Sequence, residues 1–255
     1  MKVAILQRDI IWADPAANVA RADEAIRALP SDVRLIVLPE MFSTGFAIEP
    51  EGIAEPEDSE TLAWMKEVAA RRGCAVAGSV AVGLFEGTFR NRFYFVRPDG
   101  NVSYYDKHHL FTYGNEHLSY TAGQERVVVE WGGVRFLLQV CYDLRFPVWS
   151  RNHNDYDCAI YVANWPTPRI EAWNILLHAR AIENQCYVVG VNRVGTDPAC
   201  HYSGGSVVID PYGRDLAACP RDEESVAVAD LDMEALRAFR KKFPVLKDKD
   251  PSPLP

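Results

Sequence analysis

Positive charge is in short supply: 27 Lys and Arg stand against 35 Asp and Glu, for a formal net charge of -8 at pH 7. A nucleic-acid binder needs clustered Lys and Arg to displace counterions, so that class of partner is set aside. No run approaches the roughly 20 apolar residues that a membrane span requires. The opening "MKVAILQRDIIW" is broken by Gln7, Arg8 and Asp9 and does not read as a signal peptide. A cytoplasmic protein with no membrane partner is the expectation. The six cysteines, at 74, 141, 158, 186, 200 and 219, form no CxxC pair and no zinc spacing. They read as free thiols of a reducing compartment, and most such thiols pack as small hydrophobes. The HExxH pattern is missing, and the glycines of "GSVAVG" and "SGGSVV" suit strands and turns better than a phosphate cradle. Neither a metal nor an organic cofactor is expected.

What the chain does have is core material and regular alternation. Apolar residues make up 48% and charged residues 24%, and nothing resembles a linker, so one domain over 1–243 is expected. The Pro- and charge-rich "FPVLKDKDPSPLP" reads as an extended C-terminal arm over 244–255. "VAILQ", "RLIVLPE" and "CAVAGSVAV" are apolar strands. The helices between them carry stop and start signals: Asp14 and Pro15 open one, and Arg71, Arg72 and Gly73 close the other. Hairpins follow around Pro98–Asn101 and Gly132–Gly133, and the second half alternates "CAIYVAN", "EAWNILLHARAIENQ" and "YVVGVNRVG". This is an α/β pattern.

Glu40, Lys107 and Cys141 each end an apolar or aromatic run, where an α/β sheet tends to place functional groups. Their convergence has a definite chemistry. A nearby ammonium favours the thiolate, and a carboxylate can take the thiol proton, return it to a leaving amine and later activate water. The ammonium also holds the oxyanion of a tetrahedral intermediate, with the Tyr142 N–H as a second donor. Yet a Glu after a strand is often a solvated loop carboxylate, and a Lys after "YYD" often caps a hairpin.

The passages "VLPEMFSTGF", "YYDKHHLF" and "QVCYDLRFP" decide between these readings. Together with "YVANWP", "HARAIENQCYVVGVNRVG" and "YSGGSVVIDPYG", they make the chain resemble the nitrilase, or carbon-nitrogen hydrolase, superfamily over nearly its whole length. Within it, "KHHLFTYGNEHLSYTAG", "ANWPTPRIEAWNILLHARAIENQ" and "FPVLKD" are most similar to the bacterial omega-amidases. The resemblance implies a four-layer αββα sandwich of two mixed β-sheets flanked by helices, and a homodimer paired through helices. It implies a triad of Glu40 as base and acid, Lys107 at the oxyanion and Cys141 as nucleophile. A second glutamate after the lysine, here Glu116, would position the substrate or the lysine. The implied substrate is a small-molecule amide, 2-oxoglutaramate or 2-oxosuccinamate. Arg145 is a candidate for the substrate carboxylate or a brace for the cysteine turn, the brace being favoured, and Arg169 is a second cationic candidate. Phe42, Tyr142 and Trp165 are candidates for the pocket wall.

Rival readings remain at this point. A cysteine-histidine hydrolase would use His108, His109 or His178; a metal hydrolase would draw on "HLFTYGNEH" or "RNHND". Another amidase, a nitrilase or an N-carbamoyl hydrolase would use the same four residues, and a non-catalytic scaffold would keep the fold alone.

Overall fold

A computed structural model describes residues 1–250, apart from the Glu86 side chain; residues 251–255 of the expected arm lie outside the described residues. The first half runs β1 (Lys2–Gln7), α1 (Pro15–Arg27), β2 (Leu35–Val37), β3 (Glu55–Pro56), α2 (Glu60–Arg72), β4 (Ala75–Gly83), β5 (Phe89–Val96) and β6 (Val102–Asp106). The helix boundaries follow their signals. Asp14 accepts from the Ala17 N–H at the start of α1, and Gly73 ends α2 at φ +61°, a left-handed conformation that costs glycine nothing.

The second half runs α3 (Glu116–Ser119), β7 (Val128–Trp131), β8 (Val134–Val140), α4 (Pro147–Ser150), β9 (Cys158–Ala163), α5 (Ile170–Asn184) and β10 (Tyr187–Asn192). It continues through β11 (Val194–Thr196), β12 (His201–Ser203), β13 (Val207–Ile209), β14 (Asp215–Ala218), β15 (Ser225–Asp230) and α6 (Met233–Lys242).

Two mixed sheets result. One has the order β15-β1-β2-β4-β5-β6 with β3 beside β4, and the other β14-β13-β10-β9-β8-β7. β1, β2 and β4 run parallel in the first, and β8, β9 and β10 in the second. The period-two alternation of each strand sorts its side chains. Val3, Ile5, Val37, Phe93 and Phe95 face Phe136, Leu138, Val140, Ile160 and Val189 between the sheets. Ala4, Leu6, Ile36 and Val76 face outward onto Ile26 of α1 and Met65 and Val68 of α2. Leu137, Ala159, Tyr161 and Val188 face Trp173, Leu177 and Ala181 of α5. Helices, sheet, sheet, helix: the expected αββα layering is present.

Leu236 of α6 joins the inter-sheet core. The described part of the arm is not extended: Val245–Lys247 makes one 3-10 turn that buries Leu246 against the body. Burying an apolar side chain there favours docking over extension. Among the described residues, no helix is long and apolar enough to cross a membrane.

Candidate active site

Three strand ends deliver three reactive side chains to one place. β2 stops at Val37, and Leu38 and Pro39 carry the chain to Glu40. Lys107 directly follows β6, and Cys141 directly follows β8 and opens a 3-10 turn over Cys141–Arg145. The backbone is tightened at two of the three: Met41, beside the carboxylate, has φ +43°, and Cys141 itself has φ +46°. A left-handed non-glycine residue costs on the order of 1 kcal/mol or more, so the surroundings must hold each turn in place.

The holding groups are identifiable. Asp143 accepts from the Val140 N–H at 2.9 Å, the Tyr105 hydroxyl at 2.8 Å and the His109 N–H at 2.9 Å, and its Oδ1 lies 2.8 Å from His109 Nδ1. Arg180 of α5 donates to the Leu144 carbonyl at 2.6 Å. The cation bracing the cysteine turn is therefore Arg180, and the brace favoured for Arg145 is corrected. Arg145 is exposed and, among the described residues, makes no ion pair; its guanidinium lies 5.0 Å from the centre of the Trp165 ring.

Lys107, Glu40 and Glu116 form a fully buried ionic cluster. Lys107 Nζ lies 3.0 Å from Glu40 Oε1 and 2.8 Å from Glu116 Oε2, with no side-chain exposure for any of the three. The short helix α3 carries Glu116 inward, where the Phe111 N–H donates to Oε2 at 2.6 Å. Glu40 Oε2 accepts from the Asn164 N–H at 2.7 Å, and the Asn164 amide holds the Glu40 carbonyl at 2.7 Å. Asn91 Nδ2 donates to Oε1 of both carboxylates, at 2.7 Å to Glu40 and 3.3 Å to Glu116.

Burial sets the proton affinities. It pushes the Cys141 thiol well above the ordinary range; the Glu40 carboxylate beside it pushes the same way, and Lys107 pulls back only in part. The expectation that the ammonium favours the thiolate holds only in part: desolvation and a neighbouring negative charge oppose it, so the thiol needs the carboxylate to take its proton. Burial works against the Lys107 charge, but the carboxylates of Glu116 and Glu40 outweigh it and hold the ammonium protonated. Burial raises Glu116 despite the attraction of Lys107. A neutral thiol beside a carboxylate, next to a fixed ammonium, can lose its proton as it attacks a carbonyl carbon.

Cys141 opens onto a cavity of about 700 Å³, lined also by Tyr142, Arg145, Asn164, Trp165 and Arg169. The Arg169 guanidinium lies 5.3 Å from the Phe111 ring centre, and the Trp165 indole donates to the Arg169 carbonyl at 2.7 Å. Phe42 is not among the lining residues. It packs in the outer core, 5.9 Å from the Trp64 ring centre, where Gly78 leaves it room: a Cβ on Gly78 would stand 3.0 Å from its ring.

The three histidines of the cysteine-histidine reading do not line the cavity. His108 stacks on Trp149 with Nδ1 at the Gly123 carbonyl, His109 is held by Asp143, and His178 meets Asp215 on α5's outer side. Sequence reasoning missed Asn91, Asn164, Asp143 and Tyr105. The available signal was a polar residue interrupting or ending an apolar run, as in "RNRFYFV" and "YVAN".

Fold and site together define a class: an αββα sandwich that holds a thiol against a buried carboxylate and ammonium at converging strand ends. The carbon-nitrogen hydrolase family model matches residues 2–241, and the chain belongs to that family. The chain is 49% identical to the omega-amidase YafV of Escherichia coli K12 over 98% of its own length and 97% of that protein's. It is 36% identical to the 2-oxoglutaramate amidase of Bacillus subtilis 168, covering 96% of each. A CN-hydrolase superfamily protein of Xanthomonas campestris, solved with an arsenic adduct in its active site, superposes with a TM-score of 0.96 at 43% identity, covering 100% of this chain and 99% of that one.

Proposed function

We propose that the protein is an omega-amidase that hydrolyses the terminal amide of 2-oxoglutaramate or 2-oxosuccinamate to the 2-oxo dicarboxylic acid and ammonia. The observation that carries this reading is the 49% identity to a bacterial omega-amidase across essentially both full lengths. The site geometry supports each step.

Cys141 Sγ attacks the amide carbon while Glu40 accepts the thiol proton, as the raised thiol demands. The carbonyl oxygen becomes an oxyanion beside Lys107 Nζ, with the Tyr142 N–H as second donor. Glu40 returns the proton to the amide nitrogen, the C–N bond breaks, and ammonia leaves a thioester on Cys141. Glu40 then takes a proton from water as the oxygen attacks the thioester. Collapse releases the carboxylic acid, and the proton returns to sulfur. Glu116 keeps Lys107 charged and in place at 2.8 Å.

Arg145 and Arg169 are the cavity's cationic residues and serve the carboxylate of the 2-oxo acid end, with Trp165 and Tyr142 as wall. The setting is cytoplasmic, and the working unit is a homodimer paired through α5, whose outer face exposes Ile175 and Ile182.

The test is ammonia release from 2-oxoglutaramate compared with glutamine, a nitrile and an N-carbamoyl amine, with mass-spectrometric trapping of the Cys141 thioester. Turnover of one of the other three with 2-oxoglutaramate untouched refutes the omega-amidase reading.

A further inference from the structure

Asn91 and Ser79 have no part in the chemistry above, yet both are buried at its centre. They close a ring of hydrogen bonds around the base. The Met41 N–H donates to Ser79 Oγ at 2.9 Å, and the Ser79 hydroxyl donates to Asn91 Oδ1 at 2.9 Å. Asn91 Nδ2 donates in turn to Glu40 Oε1, which belongs to the residue preceding Met41. The strand pairing makes the ring possible, because β4 and β5 run antiparallel with Ser79 opposite Phe93 and Ala81 opposite Asn91.

The ring also settles which way the amide points. An amide oxygen turned toward Glu40 Oε1 and Glu116 Oε1 would meet only acceptors, so the Ser79 hydroxyl donates to Asn91 Oδ1 and the NH₂ faces the carboxylates. Its two N–H bonds then reach Glu40 Oε1 and Glu116 Oε1. Lys107 Nζ touches the same two oxygens, at 3.0 and 3.1 Å.

We propose that Asn91, oriented by Ser79, is a positioning residue that fixes the Glu40 carboxylate by bridging the two buried carboxylates. Two carboxylates sharing one ammonium tend to retain a proton between them, because like charges at close range disfavour double ionisation. The amide supplies one donor to each and no negative charge. The group that takes the thiol proton must be ionised, so the acid limb of a pH–rate profile reads the carboxylates that Asn91 bridges. The ring further ties the carboxylate to the left-handed turn at Met41, fixing Glu40 from both its side chain and its backbone neighbour.

The inference rests on Glu40 acting as base in the proposed function, and its test reads that proton without relying on substrate identity. Alkylation of Cys141 by chloroacetamide forms an S–C bond, expels chloride and passes the thiol proton to Glu40; its rate against pH is followed by mass spectrometry. Where 2-oxoglutaramate is turned over, kcat/KM against pH gives a second record. In Asn91→Asp a third carboxylate replaces the donor, and the acid midpoint of both profiles is expected to rise by about one pH unit or more. Ser79→Ala removes the orienting bond together with the acceptor of the Met41 N–H; it is expected to move the midpoint the same way by less, with a lowered melting temperature, and it also serves if Asn91→Asp does not fold. Midpoints unchanged in Ser79→Ala, or in folded Asn91→Asp with only the plateau lowered, overturn the inference. Inactivity of the wild type on 2-oxoglutaramate with shifted alkylation midpoints would instead refute the substrate and leave the positioning role standing.

Discussion

Replacing Lys107 by Met removes the ammonium while keeping most of the stem's volume, and leaves Glu40 and Glu116 buried without their cation. Both lie within 3.0 Å of Lys107 Nζ and have no exposure. Breaking a buried pair by deleting one partner costs about 3–5 kcal/mol, because the surviving charge stays desolvated. For a chain of this size, that corresponds to a fall in melting temperature of roughly 10 °C at neutral pH.

The deficit depends on pH, and its sign follows from Glu116. Burial already raises this carboxyl, and Lys107 is the largest group opposing the rise. Without Lys107, burial and the charge of Glu40 act together and raise it further. A carboxyl with a raised folded-state value contributes stability that is fully present below the unfolded value near 4.3, about that of free Glu, and lost as pH rises through the folded value. The gap between Lys107→Met and wild type is therefore small near pH 5 and widens toward pH 8. Thermal unfolding at several pH values between these limits measures it. The double variant Lys107→Met with Glu116→Gln removes one of the stranded charges and recovers part of the loss at the upper end. A deficit that stays constant across the range, or a variant as stable as wild type at pH 8, refutes the reasoning.

Two further outcomes test the outer parts of the site. In Arg145→Met and Arg169→Met, KM for 2-oxoglutaramate is expected to rise about tenfold with kcat little changed, as loss of a charge-assisted contact made equally in ground and transition states requires; steady-state kinetics with a neutral amide as control checks it, and KM within twofold for both removes them from the carboxylate site. Ile182→Asp, on the exposed face of α5, is expected to convert the proposed dimer to monomer in native mass spectrometry; a wild type that is monomeric in the same assay removes the interface.

The layered fold was readable because each strand's alternation names its own two faces: Val3 and Ile5 inward, Ala4 and Leu6 outward. The helix limits at Asp14 and Gly73 were readable for local reasons of the same kind. The cap of α5 was not, because Gln185 takes the left-handed position at φ +45° that glycine usually fills. The site divides along the same line. Glu40, Lys107 and Cys141 are candidates by residue type at strand ends and are singled out by the family resemblance, whereas Ser79 and Asn91 sit twelve residues apart in two apolar strands and meet only through the antiparallel register. The same limit applies to the proton affinity of the thiol. Sequence shows an ammonium and a thiol, but the sign of the shift depends on how much water each has lost and which carboxylate lies beside the sulfur. Because burial and the neighbouring carboxylate oppose loss of the thiol proton, the proposed activation of Cys141 rests on Glu40 as well as on Lys107, and the groups that hold Glu40 in place, Asn91 and Asn164 among them, become part of it.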